Sequence, residues 1–326
     1  MSMSGTLPAL LAGLVLAPVA LFGWMALGEL TMRGTPSGPR PRSLRPWLWL
    51  TPALLLIAAV LVYPALRSVY SSFFDADGSS FIGLGNYHWA FTDSQILKAL
   101  RNNVLWLVVF PVLTVCVATM AAILGDRVRY ERFAKGAFIV PTAVSFAVTG
   151  VIWQLMYQYR PPGTAQTGTV NVFVEKLGLS PQPWVTDSST SNFALIFAAV
   201  WAHVGLATII LSAAVKAVPE ELVEAARIDG AGELQIIFRV ILPTLWPTIL
   251  VVGTTQVIYA LKIFDVVYVM TNGNYGTDVI ANKVYSELFV AQDFGRASAI
   301  SVVLFVLASP IIMMNLRQLR REEEAR

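Results

Sequence analysis

Charge is what this sequence has least of. Only 13% of its 326 residues are charged, against roughly a quarter in an ordinary soluble domain. Hydrophobic residues make up 56%, and the mean hydropathy is +0.64. So little charge cannot cover a globular surface, which leaves a polytopic membrane protein. Cysteine is nearly absent: Cys116 stands alone in an apolar run, which excludes an intrachain disulfide and a cysteine-based metal cluster. His88 and His203 are the only histidines, too few for the usual zinc site. No GxxxxGK[ST] loop is present, so the chain lacks the phosphate cradle of an ATPase. No nucleophile–base pair or metal set stands out, and the chain is not expected to be an enzyme. The net charge is only +3, and the pI of 9.0 comes from arginines clustered beside apolar runs. That pattern does not suggest a nucleic-acid partner.

What is present is a series of apolar stretches at residues 7–28, 47–66, 104–124, 136–157, 193–215, 248–270 and 297–316. They predict an all-α protein with about seven transmembrane helices. Arg33, Arg40, Arg42 and Arg45 follow the first stretch. The positive-inside rule puts that linker in the cytoplasm and the N-terminus outside. No positive charge precedes the first stretch, so it is expected to be an anchor rather than a cleaved signal. Arg127, Arg129, Arg132 and Lys135 mark a second cytoplasmic loop, and Arg317, Arg320 and Arg321 a cytoplasmic tail. The expected organisation is an anchor with its basic linker at 1–46, a second span with an external segment at 47–98, a core at 99–318 and the tail at 319–326. Within the external stretch at 158–191, a short amphipathic helix is expected around 171–177.

Residues 219–247 read PEELVEAARIDGAGELQIIFRVILPTLWP, the only long charged insert in the second half of the chain. Pro219 suits a helix start, and Glu220 and Glu221 favour the positive end of a helix dipole. Asp229 and Gly230 supply a stop, with Gly230 able to take the left-handed conformation. Leu222, Ala225 and Ala226 lie on one face at i, i+3 and i+4, where two alanines would admit another surface. A second short helix carries Leu234, Ile237, Phe238, Ile241 and Leu242 as an apolar stripe, ended or kinked by Pro243. Periodicity alone fits a solvated connector as well as a functional element. A DNA-binding helix-turn-helix is disfavoured by the lack of a basic cluster.

Glu224-Ala225-Ala226, Asp229-Gly230-Ala231 and Ile241-Leu242-Pro243 together resemble the EAA signature of ABC-importer permeases. Phe81, Gly83, Leu84, Asn86 and Tyr87 match an element of carbohydrate-importer permeases. Phe264-Asp265, Tyr268-Val269, Thr271-Asn272-Gly273, Tyr285, Phe289 and Gly295-Ala297-Ser298-Ala299 look like the end of a MalF-type subunit. The resemblance implies a MetI/MalF-like type I importer core with the coupling hairpin at 216–247, in the bacterial plasma (inner) membrane. It implies a MalG-like companion permease, a cytoplasmic ABC ATPase dimer that binds ATP and Mg in place of any cofactor here, and an extracytoplasmic sugar-binding protein or lipoprotein. The cargo implied is a sugar, an oligosaccharide or an α-glucoside such as maltose or trehalose; the extra N-terminal span is similar to that of α-glucoside carriers. Gly273-Asn274-Tyr275 departs from the glycines and proline usual after that Thr-Asn-Gly, so the loop is expected to differ in shape.

By the same resemblance, Glu224, Ala225, Ala226, Asp229 and Gly230 form the ATPase contact. Simple helix capping is the competing reading of Asp229. Trp201, His203, Gln256, Tyr259 and Ile263 fall where family members hold their substrate. The i, i+3, i+7 spacing of Gln256, Tyr259 and Ile263 puts them on one face of a continuous sixth span. His203 serves equally as a bond between helices, and Tyr259 as packing. Lys262 and Asp265 are spaced to pair. A secondary carrier or a permease for a non-sugar solute is the alternative; a carrier would need paired repeats with broken helices and intramembrane charges, and neither an obvious repeat nor a second such hairpin is seen.

Overall fold

A computed structural model describes residues 23–24, 44–125 and 131–324. Apart from residues 23 and 24, the first predicted span lies outside the described residues, as do Arg33, Arg40, Arg42, Arg127 and Arg129. The chain divides into two units, Met1–Ser68 and Val69–Arg326. In the first unit, α1 (Leu44–Ile57) passes through a π turn at Ala58–Val62 into α2 (Tyr63–Ser71). This continuous apolar helix is long enough to cross a bilayer. Leu54, Leu55, Val60 and Leu61 along it are exposed, as suits a helix surrounded by acyl chains.

The second unit contains α3 (Gly85–Thr92), α4 (Ser94–Gly125), α5 (Glu131–Ile139), α6 (Phe146–Met156), α7 (Thr169–Lys176), α8 (Ser191–Lys216), α9 (Glu220–Ile228), α10 (Glu233–Ile236), α11 (Leu242–Leu261), α12 (Asp265–Thr271), α13 (Ile280–Tyr285) and α14 (Phe294–Glu324). Among the described residues the only β contact is the bridge between Phe74 and Phe81. The expected all-α class holds. Four described helices are long and apolar enough to span a membrane, or five if one bent pair is a single span. The apolar part of α14 is the shorter Phe294–Pro310.

At the centre stands α8, the most enclosed of the four spans. Its inward positions include Ala194, Ala198, Ala199, Ala202, Gly205 and Ala207. Small residues let neighbouring backbones approach, which is how helices gain dispersion energy where water supplies no hydrophobic drive. Helices α4, α5, α6, α11 and α12 all pack on it.

Three predicted boundaries are corrected. The fourth apolar stretch is not one straight span. Its two halves meet at 112° across a 3-10 turn at Val140–Ala143. Pro141 supplies no N–H, Val144 is extended, and Ser145 accepts from the Val148 N–H (3.4 Å) to start α6 afresh. The sixth span also ends early, at Leu261, with Lys262 as its cap and a separate α12 beyond it. The charged insert then runs straight into that span: α10, a π turn at Ile237–Ile241 and α11 form one helix, Glu233–Leu261. Pro243 therefore ends nothing. The Leu242 N–H reaches back five residues to the Ile237 carbonyl. The widened turn takes up the missing donor and moves the preceding turn off the proline ring. A π turn before Pro64 in the first unit shows the same arrangement, with the Tyr63 N–H on the Ala58 carbonyl.

The ends of the bundle are tied differently. Asn102 near the start of α4 donates to the Gly276 and Asp278 carbonyls (both 2.7 Å). Asn192 at the start of α8 donates to Gly276 as well (3.0 Å), and Asn103 accepts from the Ile280 N–H (2.8 Å). These bonds strap the turn between α12 and α13 to the bundle end. At the other end, Ile123 near the close of α4 packs with Ile236, Ile241 and Leu245. Asn102 and Ile123 are about 30 Å apart by helical rise, the thickness of a bilayer core.

Two of the sequence signatures meet. Asn86 is buried and donates to the Ser72 and Phe74 carbonyls (3.0 and 2.7 Å), while the Tyr87 hydroxyl bonds that of Ser72 (2.6 Å). Gly295, opening α14, lies so close that a Cβ there would overlap the Phe74 carbonyl and crowd the Asn86 amide. Asn86 and Tyr87 of the one signature and Gly295 of the other thereby meet in one packed joint.

Asn102→Ala leaves the Asp278 carbonyl without this donor and the Gly276 carbonyl with Asn192 alone, at a cost on the order of 1–3 kcal/mol. A thermal midpoint several degrees lower is expected for the purified chain in detergent. An unchanged midpoint would show that other contacts hold the strap.

Candidate functional site

The charged insert folds as a short amphipathic helix set against the base of a long one. Pro219 caps α9, and Glu220 and Glu221 occupy its first turn. Its end is a full Schellman closure: Ala231 N–H to the Ala226 carbonyl (3.0 Å) and Gly230 N–H to the Arg227 carbonyl (3.0 Å). Gly230 has φ +82°, so its place in the sequence follows from backbone geometry. Arg227 pairs with Glu233 across the bend (3.1 Å), and Gln235 accepts from the Gly232 N–H (3.0 Å).

The faces of α9 differ from the expected ones. Val223 and Ala226 turn inward, onto the cluster built on Ile123, Ile236, Ile241 and Leu245. Leu222 and Ala225 face solvent with Glu224, Asp229 and Gly230. The close approach that Ala226 permits is therefore within the chain, between α9 and its own base. The outer face is an uncommon mixture of carboxylates and bare apolar groups. Ile228 is 86% exposed, and Leu234 and Phe238 also stand open. A surface of apolar groups rimmed by charge is what a docking face presents. The Asp229 carboxylate forms no hydrogen bond among the described residues, so capping does not occupy it.

The predicted path residues fall into two groups. His203 is buried on α8, stacked on Phe146 (centroids 4.5 Å, 18°) and edge-on to Phe110 (5.3 Å) and Tyr259 (4.4 Å). The structure thus brings His203 and Tyr259 together from different helices. Tyr259 is partly exposed, so this aromatic box has an open side. Gln256 lies one turn earlier on α11, only 2% exposed, and its Oε1 has no protein partner among the described residues. Trp201 instead meets Trp153 (5.8 Å), and both Trp201 and Ile263 pack on the apolar cluster around Trp106 and Val266. Ile263 lies beyond the end of α11 and does not share the helical face of Gln256 and Tyr259, a correction to the expected spacing. Lys262 and Asp265 are separated by that same break, the first capping α11 and the second opening α12, and no ion pair joins them.

Phe110 and Phe146 complete the box and were not singled out in the sequence. Each is an aromatic among many in an apolar run, and no local spacing marks its meeting with His203.

Helix α8 carries His203 and leads directly into the insert, while α11 carries Gln256 and Tyr259 and grows directly out of it. Helix α9 thus lies in the chain between the two helices bearing the box.

Residues 114–320 match the family of binding-protein-dependent transport system inner membrane components. The chain is 46% identical over 279 residues to the osmoprotective compounds uptake permease protein GgtC of Synechocystis, covering 86% of this chain and all of that one. It is 43% identical over 281 residues to the alpha-glucoside transport system permease protein AglF of Rhizobium meliloti, covering 86% and 84%. Its fold matches a chain of a bacterial ABC transporter involved in the import of alginate, with TM-score 0.72 at 21% identity over 86% of this chain and 96% of that one. Those matches agree with the helical core and the apolar spans, and the chain belongs to the binding-protein-dependent transport system inner membrane components, as a permease of that family.

Proposed function

We propose that this chain is the MalF-like half of an ATP-driven importer for a small α-glucoside. The observation that carries this reading is the shared support of box and hairpin: α8 and α11 hold the aromatic groups and are joined by α9. In this reading the outer face of α9, with Glu224, Ala225, Asp229 and Gly230, docks in a groove of a cytoplasmic ABC ATPase. Ala226 sets the depth at which α9 sits on its own base. ATP and Mg are bound by that partner, and this chain supplies no catalytic group.

A MalG-like companion completes the path, and an extracytoplasmic binding protein delivers the sugar. The N-terminus lies outside and the C-terminus inside. The aromatic box offers ring faces, and the Gln256 amide offers a buried acceptor that a sugar hydroxyl would satisfy. None of the predicted path residues is acidic or permanently cationic, which suits a neutral cargo. Nucleotide and binding protein must each favour one state of the bundle, or neither could move it. The 43% identity to an alpha-glucoside permease supports the cargo class.

Uptake of an osmoprotective compound is a second reading, favoured by the 46% identity to a permease of that name. Labelled maltose and trehalose, competed with unlabelled osmoprotectants in proteoliposomes of the whole importer, separate the two.

Glu224→Ala removes a carboxylate that forms no hydrogen bond or ion pair among the described residues. Its effect on folding is expected within about 0.5 kcal/mol, while ATPase copurification or binding-protein-stimulated ATP hydrolysis is lost. Full stimulated hydrolysis in that variant would sink the assignment of α9. Tyr259→Ala is expected to lower maximal uptake about three- to ten-fold, as the loss of one aromatic contact would, and Tyr259→Phe to retain most of it. Equal uptake in the wild type and Tyr259→Ala would remove the box from the sugar path.

A further inference from the structure

A cavity lies at the strapped end of the bundle, far from α9. Its volume is about 490 Å³, within the range of small-ligand sites. Tyr159, Tyr268 and Tyr275 contribute rings, and Gln158, Asn272 and Asn274 contribute amides. No acidic or basic side chain is among its described lining residues. The three tyrosines are each a third to a half exposed. Among the described residues, the side chains of Tyr159, Tyr275, Gln158 and Asn272 form no hydrogen bond of their own.

The wall of this cavity is held in an uncommon conformation. Tyr275 has φ +58°, a left-handed value that a bulky side chain rarely adopts, and Asn272, at φ +49°, is the left-handed cap that closes α12. The Tyr275 carbonyl accepts from Ser191 (3.0 Å), and the adjacent Gly276 carbonyl accepts from Asn102 and Asn192. Backbone strain of this kind persists only where surrounding bonds enforce it, and it concentrates at ligand sites. Packed aromatics join its wall to the described path. Tyr157 in its wall touches Trp153 (5.1 Å), which touches Trp201 (5.8 Å), two residues before His203.

We propose that this cavity is a saccharide subsite, a first station that holds a neutral sugar before it reaches the His203–Tyr259 box. Ring faces stack on the C–H faces of a pyranose, and amides bond its hydroxyls from the side. A charged cargo would find no counter-ion there. This inference rests on the sugar reading above and adds to it a binding site outside the bundle centre.

The test uses the complete importer in lipid nanodiscs, without its binding protein, and equilibrium binding of labelled maltose and trehalose. A Tyr259→Ala background weakens the central box, so that changes made by the cavity variants stand out. Saturable binding is expected to persist in that background. Adding Tyr275→Ala or Asn272→Gly should weaken it about five-fold, as the loss of one ring contact or one hydrogen bond would. Adding Tyr275→Trp should stay within about two-fold. Asn272→Gly keeps a residue that accepts positive φ, so it serves if Tyr275→Ala fails to assemble.

Three results would overturn the subsite. The first is no saturable binding in the Tyr259→Ala background, or binding unmoved by both cavity variants. The second is unchanged sugar binding with a loss of sugar-free ATPase stimulation by the binding protein, which would make the cavity a protein contact. The third is a wild-type importer that carries neither sugar while carrying another solute. That last result alone also defeats the sugar reading; the first two leave it standing.

Discussion

The bundle depends on how closely helices can approach α8. A span with no charge between Ser191 and Val215 gains nothing from expelling water inside a bilayer. Its partners are held by dispersion, by small side chains and by a few buried amides. Alanine at so many inward positions lets five other helices share one axis. The bulky aromatics that make the site, Phe110, Phe146 and Tyr259, come from the neighbours and converge on the single imidazole of α8. The close approach of the neighbours and the site are thus linked: alanines and Gly205 on the central helix admit the helices whose aromatics surround His203.

The chemistry of the two bundle ends is distinct. At one end, amides of Asn102, Asn103 and Asn192 clasp a turn of left-handed residues. Directional bonds fix that turn in one conformation. At the other, isoleucines and leucines seat α9 on the base of α11. Apolar seating fixes distance but tolerates sliding. A rigid end and a yielding end, separated by the thickness of a membrane, are a physical basis for motion applied at one side and expressed at the other.

Much of this was legible because it is local. The close of α9 at Asp229 and Gly230 follows from cap chemistry, and its start from Pro219 and two glutamates. The all-α class and most spans follow from runs of apolar residues. Two of the errors lie where a proline carries two meanings. Pro243 reads as a stop, yet a five-residue turn before it lets the helix continue. Pro141 sits within an apparently unbroken apolar run, yet the helix breaks there at 112°. Whether a proline ends a helix depends on whether neighbours can accept a widened turn, which is a tertiary matter. The box was half legible: His203 and Tyr259 stand out as polar residues in spans, whereas Phe110 and Phe146 do not. The pairing of Asn86 with Gly295 joins residues far apart in the chain, and no local pattern announces it.

The widened turn at Ile237–Ile241 has a mechanical corollary. A regular helix is stiff along its length, but one turn with longer, less aligned bonds is a soft segment in series with it. That soft segment lies between α9 and the long shaft of α11, so compliance is concentrated at the root of the lever rather than spread along it. Torque delivered to α9 would first twist this root, and only the remainder would reach the shaft. Ile237 to Ile241 would then act as a torsional joint between the short helix and the membrane bundle.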